Sequence, residues 1–247
     1  MSKILFWDIE TQKLITQTFS LYPDSINHED IIRDWYIICG AWVFNDNKQV
    51  QAVSVMDNKA QFKKDPCDDK YVITKLHEVI SQADIIVHHN GDKFDWKKFN
   101  ARVIYHGLTP LPEIQMIDTL KLARRHFAFT SNRLDYLGRH LGLGQKIETA
   151  KGLWEGARLG DKKAINQMVK YNKQDVLLLR EVYEKLKPYV RLPFTAIDKC
   201  PKCESDHLTK QGIKKTKTNS YQKWQCQDCG SWSQSRLPMK LDKPTIV

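Results

Sequence analysis

The segment Ile4-Leu5-Phe6-Trp7-Asp8-Ile9-Glu10 is an apolar run that carries two acids, two residues apart. From Ile4 to Ile9 its large aliphatic and aromatic side chains read as a buried strand. Side chains alternate along a strand, so Asp8 and Glu10 share one face while Trp7 and Ile9 turn the other way, into a core. Two carboxylates on one face of a buried strand are costly unless a positive charge neutralises them. A metal ion does that; an edge strand with solvated acids needs none. Taken alone, the Asp-x-Glu pair leaves both readings open.

The rest of the chain narrows the fold. Residues 11–34, polar and containing Pro23, read as a long loop. Residues 35–44 and 50–56 read as two strands, joined through the turn-forming Asn45-Asp46-Asn47-Lys48. The spacing of Val72, Leu76, Val79 and Ile80 predicts a helix over 71–82. A short buried strand at 85–87 precedes a helix at 95–105, and further helices are expected at 133–141 and 162–187. Strands first, then strands mixed with helices, imply an α/β domain with helices packed on a mixed sheet.

At Arg191-Leu192-Pro193 the composition changes to Cys, Lys, Gln, Ser and Trp with few aliphatics. Two domains are therefore expected, 1–192 and 193–247. No window approaches the roughly 18 apolar residues of a membrane helix, so no membrane partner is expected. Met1-Ser2-Lys3 leads straight into a strand, without the parts of a secretory signal. The expected location is a reducing cytoplasm, and the expected state a monomer.

Further acids fall in suggestive places. Asp95 closes the segment His89-Asn90-Gly91-Asp92-Lys93-Phe94-Asp95, where a strand hands over to a helix. An acid there also suits capping and the helix dipole. Tyr171 and Asp175 are four apart on a helix and share a face; Asp175 could equally pair with Arg180. Each motif is weak alone, but the three occur in order.

The succession Asp8-Ile9-Glu10-Thr11, Asn90-x-x-x-Phe94-Asp95 and Tyr171-Asn172-Lys173-Gln174-Asp175 resembles the DnaQ-like, or DEDD, exonuclease superfamily. Tyr171, where other members carry His, places the resemblance in the DEDDy branch, nearest in motifs to proofreading domains of family-B DNA polymerases. It spans about residues 3 to 190 and includes Met116-Ile117-Asp118-Thr119 and Leu134-Asp135-Tyr136-Leu137-Gly138. It implies an RNase H-like fold and removal of nucleotides from 3′ ends. The implied partner is nucleic acid, DNA before RNA, with a replication or repair protein as a further partner.

The resemblance also assigns roles. Asp8 would bridge two Mg²⁺ or Mn²⁺ ions, Glu10 and Asp175 would complete the tighter one, and Asp95 would hold the second. Carboxylate ligands suit these hard cations, and a pair about 4 Å apart can activate water and stabilise the leaving oxygen. Tyr171 would position the attacking water, since a phenol with a pKa near 10 is a poor base at neutral pH. Thr11, Asn90 and Phe94 are candidates for contact with the terminal nucleotide. For these three, a strand-end hydroxyl, a turn amide and a core aromatic are equally good readings. His88 and His89 read as scaffold or substrate contacts, not as ligands.

The C-terminal segment carries Cys200-Pro-Lys-Cys203 and Cys226-Gln-Asp-Cys229, with 22 residues between the pairs. Two such pairs fit one structural Zn²⁺ held by four thiolates, and the segment resembles a zinc ribbon. Cys39 and Cys67 lack such spacing and are expected to be buried or incidental. Of the chain's net charge of +10, the part from Lys199 onward supplies more than half, with ten basic and four acidic residues. Lys214, Lys215, Lys217 and Trp224 are candidates for nucleic-acid binding, within a group that includes Lys210, Tyr221, Lys223, Trp232 and Arg236. The tryptophans could instead pack a small core.

Overall fold

The computed structural model describes residues 2–144, 152–190 and 198–239. The apolar run forms β1 (Ile4–Thr11). The expected loop after it is partly ordered, since β2 (Ile15–Thr16) and β3 (Ile31–Arg33) pair antiparallel inside it. Then follow β4 (Ile37–Phe44), β5 (Gln51–Ser54), α1 (Lys59–Lys64), α2 (Lys70–Ile80) and β6 (Ile85–His88). Beyond these come α3 (Asp95–Tyr105), β7 (Gln115–Asp118), α4 (Thr119–His126), α5 (Leu134–His140), α6 (Leu153–Arg158) and α7 (Lys162–Leu186).

Five strands form one mixed sheet in the order β5-β4-β1-β6-β7. The β1 strand runs antiparallel to β4 and parallel to β6, and β6 runs parallel to β7. Central position explains the composition of β1 and β4: covered on both faces, they bury apolar residues on both. This is the α/β fold expected from the sequence, a mixed sheet flanked by helices. The unexpected elements α1, α4, α6 and β7 are all short, four to eight residues each.

The core forms where helices meet this sheet. Helix α2 buries Val72, Ile73, Leu76 and Ile80. It approaches β4 so closely at Gly40 that a Cβ there would lie 2.8 Å from a Leu76 methyl. Helix α3 brings Phe99 edge-on to Trp7, with ring centroids 5.7 Å apart and planes at 80°. Both rings are fully buried. Trp7 thus anchors the face of β1 opposite to Asp8, as the alternation of the strand requires.

The described residues divide into two compact units, one drawn from 2–124 and 128–182, the other from 125–127 and the described residues after 182. The sequence boundary at 191–193 lies outside the described residues. The second unit contains β8 (Leu208–Lys215), β9 (Ser220–Cys226) and β10 (Trp232–Gln234), antiparallel in the order β10-β9-β8. Nearly all of β8 is exposed, so this sheet has little core of its own. Among the described residues, no helix is long and apolar enough to cross a membrane.

Candidate functional site

The β1 strand delivers Asp8 and Glu10 to one face of the sheet, half-buried, between fully buried Trp7 and Ile9 on the other. Across from them on β4 stand Ala41, opposite Asp8, and Cys39, opposite Glu10. Opposed residues share a face, so small neighbours leave space above the acids. Helix α7 brings Asp175, only 3% exposed, to this space. Ligand oxygens of Asp8, Glu10 and Asp175 all lie within 4.8 Å of one another. Three carboxylates so close in a partly dry setting fit a hard cation held by oxygen ligands.

Asp95 is not part of that group of three. It is buried at the first residue of α3, in the turn of helix where an acid complements the dipole. Tyr171 is half-buried one helical turn before Asp175. Of the four expected carboxylate ligands, the fold therefore brings three into one tight cluster and sets the fourth at a helix start.

Sequence reading passed over the residue between them. Asn172, fully buried, donates from Nδ2 to Asp8 Oδ2 at 2.6 Å, and its Oδ1 faces Cys39 Sγ at 4.0 Å. Burial, with the carboxylates of Glu10 and Asp8 adding to it, pushes the Cys39 thiol well above its ordinary range. It therefore stays a neutral S–H that can donate to the Asn172 oxygen. This fixes which end of the carboxamide meets Asp8. The signal lay in the sequence: an amide on the apolar face of a helix, inside the Tyr171–Asp175 motif.

The turn leading to Asp95 is held by polar side chains. Asn90 adopts φ +65°, a left-handed conformation that asparagine tolerates better than most residues. Its N–H donates to Asp118 Oδ1 at 2.9 Å, and so does that of Leu120. Thr119 Oγ1 donates to the His88 carbonyl and meets His89 Nδ1, both at 2.9 Å. The Asp118-Thr119 pair thus ties β7 to the turn. His88 is buried with Nε2 2.8 Å from Asp92 Oδ1, and Lys121 closes on the other oxygen of Asp92. Burial pushes His88 below its ordinary pKa, against the pull of Asp118 and Asp92. Gly91 packs on this ring, since a Cβ there would sit 2.3 Å from His88 Cγ.

The remaining candidates are placed as follows. Phe94 is 40% exposed, and Lys98 Nζ lies 5.2 Å from its ring centroid and 3.6 Å from that of Trp35. Lys98 joins Phe94 to Trp35, which is half-buried against the core, an arrangement that sequence reading did not foresee. The Thr11 carbonyl accepts from Trp154 Nε1 at 3.1 Å. Cys39 and Cys67 are buried, as expected.

In the second unit, Cys200 and Cys229 sulfurs lie 3.7 Å apart, those of Cys203 and Cys226 3.6 Å, and all four fall within 4.8 Å. Disulfides are excluded, since bonded sulfurs sit about 2.05 Å apart. A tetrahedron of sulfurs about 2.3 Å from zinc has edges of about 3.8 Å, so this donor set fits Zn²⁺. The two knuckles match in backbone as well. Glu204 N–H returns to the Cys200 carbonyl at 2.9 Å and Gly230 N–H to the Cys226 carbonyl at 3.0 Å. Both residues have positive φ, +61° and +70°. Burial would raise the Cys200 thiol, but hydrogen bonds from Ser231 and from the backbone of the knuckle bring it down to about 7.

Comparison with known proteins agrees with the fold. The family model described as RNase_H superfamily matches residues 5–187. The chain is also 26% identical, over 187 residues, to a protein of Ureaplasma parvum serovar 3 described as DNA polymerase III PolC-type. That alignment covers 69% of this chain and 12% of the relative, so the chain spans only a small part of the protein it matches.

Proposed function

The chain belongs to the RNase H superfamily, at that level a nuclease-type hydrolase acting on nucleic acid, and we propose that it is a DEDDy 3′→5′ exonuclease acting on single-stranded DNA ends. One observation carries this reading: ligand oxygens of Asp8, Glu10 and Asp175 converge within 4.8 Å, with Tyr171 one turn away on the same helix. The similarity to a protein named as a DNA polymerase supports DNA as the polymer.

In this reading Asp8, Glu10 and Asp175 hold divalent cation, with Asp95 contributing from the start of α3. Bound Mg²⁺ or Mn²⁺ would lower the pKa of water and offset charge on the phosphate. Asn172 keeps Asp8 turned toward the cluster. Tyr171 holds the attacking water by its hydroxyl, and Thr11, Asn90 and Phe94 surround the terminal nucleotide. Residues 1–192 form the nuclease domain. Residues 193–247 form a zinc ribbon that grips the strand, with Lys214, Lys215 and Lys217 among its cations.

Labelled single-stranded DNA and RNA, incubated with Mg²⁺ or Mn²⁺, test the proposal. The expected result is stepwise shortening of DNA from its 3′ end. Shortening of RNA alone would make the enzyme an exoribonuclease. No shortening of either would leave a nucleic-acid-binding or recruiting module.

A further inference from the structure

The two ribbon tryptophans stand on opposite faces of the three-stranded sheet. Trp224 is directly across from Lys210 on β8, whereas Trp232 is across from Gln225 on β9. Adjacent positions on β9 point to opposite faces, so the pairs Trp224–Lys210 and Trp232–Gln225 are separated by the sheet. Trp224 is half-buried, with Lys210 Nζ 5.8 Å from its ring centroid. Trp232 is 54% exposed. The tryptophan chosen from sequence is thus the more covered of the two.

Register collects the companions of Trp232. Lys223 and Gln225 on β9 share its face, as do Gln234, across from Lys223, and Lys214, across from Tyr221. Lys223 Nζ lies 5.5 Å from the Trp232 ring centroid, and Lys214 Nζ donates to Gln234 Oε1 at 3.1 Å. Beside the indole is a recess of about 520 Å³ lined by Pro201, Lys202, Lys223, Trp232, Ser233 and Gln234. Its lining holds two cations and no acid. A flat apolar ring flanked by ammonium groups and amides complements a base with its phosphates, and disfavours a basic or purely apolar partner.

We infer that the Trp232 face of the ribbon is a binding site for single-stranded nucleic acid, with one base stacked on Trp232 and phosphates held by Lys202, Lys223 and Lys214. The inference rests on the nuclease reading for its ligand class, but not on catalysis. It moves the stacking residue from Trp224 to Trp232, and brings in Lys202 and Lys223.

The test uses the full zinc-loaded chain in an Asp175→Asn background, which preserves the probe. Affinity for fluorescein-labelled oligo-dT is followed by anisotropy across salt concentrations. Loss of one stacked base predicts that Trp232→Ala weakens binding about tenfold, while Trp232→Phe keeps most of it. Lys223→Gln should lower the salt slope by about 0.7. Trp232→Ala should have no effect on an abasic oligomer of equal length, and intrinsic tryptophan fluorescence should be quenched by oligo-dT but not by the abasic strand. If Trp232→Ala loses zinc, the salt slope of Lys223→Gln and the quenching of native tryptophan fluorescence decide. Oligo-dT affinity unchanged in all three variants would overturn the inference and leave the face to a protein partner. Shortening at saturating substrate by the chain with Asp175 intact reports on the nuclease reading alone, so the two can fail separately.

Discussion

Asn172 on α7 hydrogen-bonds Asp8 on β1 at 2.6 Å, joining residues 164 positions apart in the chain. The amide holds one oxygen of a carboxylate that belongs to the cluster with Glu10 and Asp175. Removing such a supporting partner commonly costs about 10- to 100-fold in metal affinity or activity. Asn172→Ala should therefore shift the Mn²⁺ dependence of hydrolysis to higher concentration by about that factor, with little change in melting temperature. Asn172→Asp should do worse, by setting a further negative charge against Asp8. Unchanged Mn²⁺ activation in the Ala variant would reduce Asn172 to a packing residue.

Clustered carboxylates repel until a cation binds, so divalent metal should stabilise the folded chain. At about a hundred times its Kd, one bound ion adds about 2.7 kcal/mol. Thermal melts with and without Mn²⁺ should show this gain in the native chain and its loss in Asp8→Asn and Asp175→Asn. The same variants should not shorten DNA. A variant that keeps both properties would misplace the metal site.

The exposed sheet of the second unit depends on its sulfur centre. Elemental analysis should find one zinc per chain. Stripping it should abolish amide protection over β8 and β9 while β1 and β4 remain protected. Protection of β8 persisting without zinc would show that the hairpin folds through its own contacts.

His88 makes stability depend on pH. Burial lowers its folded pKa below 6.5, so the unfolded chain takes up a proton near 6.5 while the folded chain does not. As pH falls through that value the unfolded state binds more protons and folding weakens, until the lower folded pKa is reached. Urea midpoints at about pH 7.5 and about pH 5.5 should differ more in the native chain than in His88→Gln. Equal differences would assign the dependence to other groups.

Two phenylalanines of neighbouring sequence should respond in opposite ways. Phe99 is fully buried against Trp7, and Phe99→Ala should cost about 3–5 kcal/mol of stability. Phe94 is 40% exposed, and Phe94→Ala should change stability by less than about 0.5 kcal/mol. Its effect should appear as a raised KM for DNA. A stability loss in Phe94→Ala comparable to that in Phe99→Ala would place Phe94 in the core.

Much of this was local in the chain and therefore readable from it. Alternation along a strand set Asp8 and Glu10 against Trp7 and Ile9. The four-residue step of a helix put Tyr171 beside Asp175, and paired CxxC spacing announced the sulfur centre. Folding decided what local geometry does not carry. The family resemblance grouped Asp175 with Asp8 and Glu10, which local geometry alone could not do; it is the packing of α7 against β1 that brings the three within 4.8 Å of one another. Only long-range contact gives Asn172 to Asp8, Asp118 to Asn90 and Lys98 to Trp35. On the ribbon, a bulge in β8 between Lys210 and Ile213 shifts its register against β9. Trp224 and Trp232 look alike as letters, but strand pairing covers one and exposes the other. Sequence determines which groups a face can carry, and tertiary packing determines which faces meet and which stay in water.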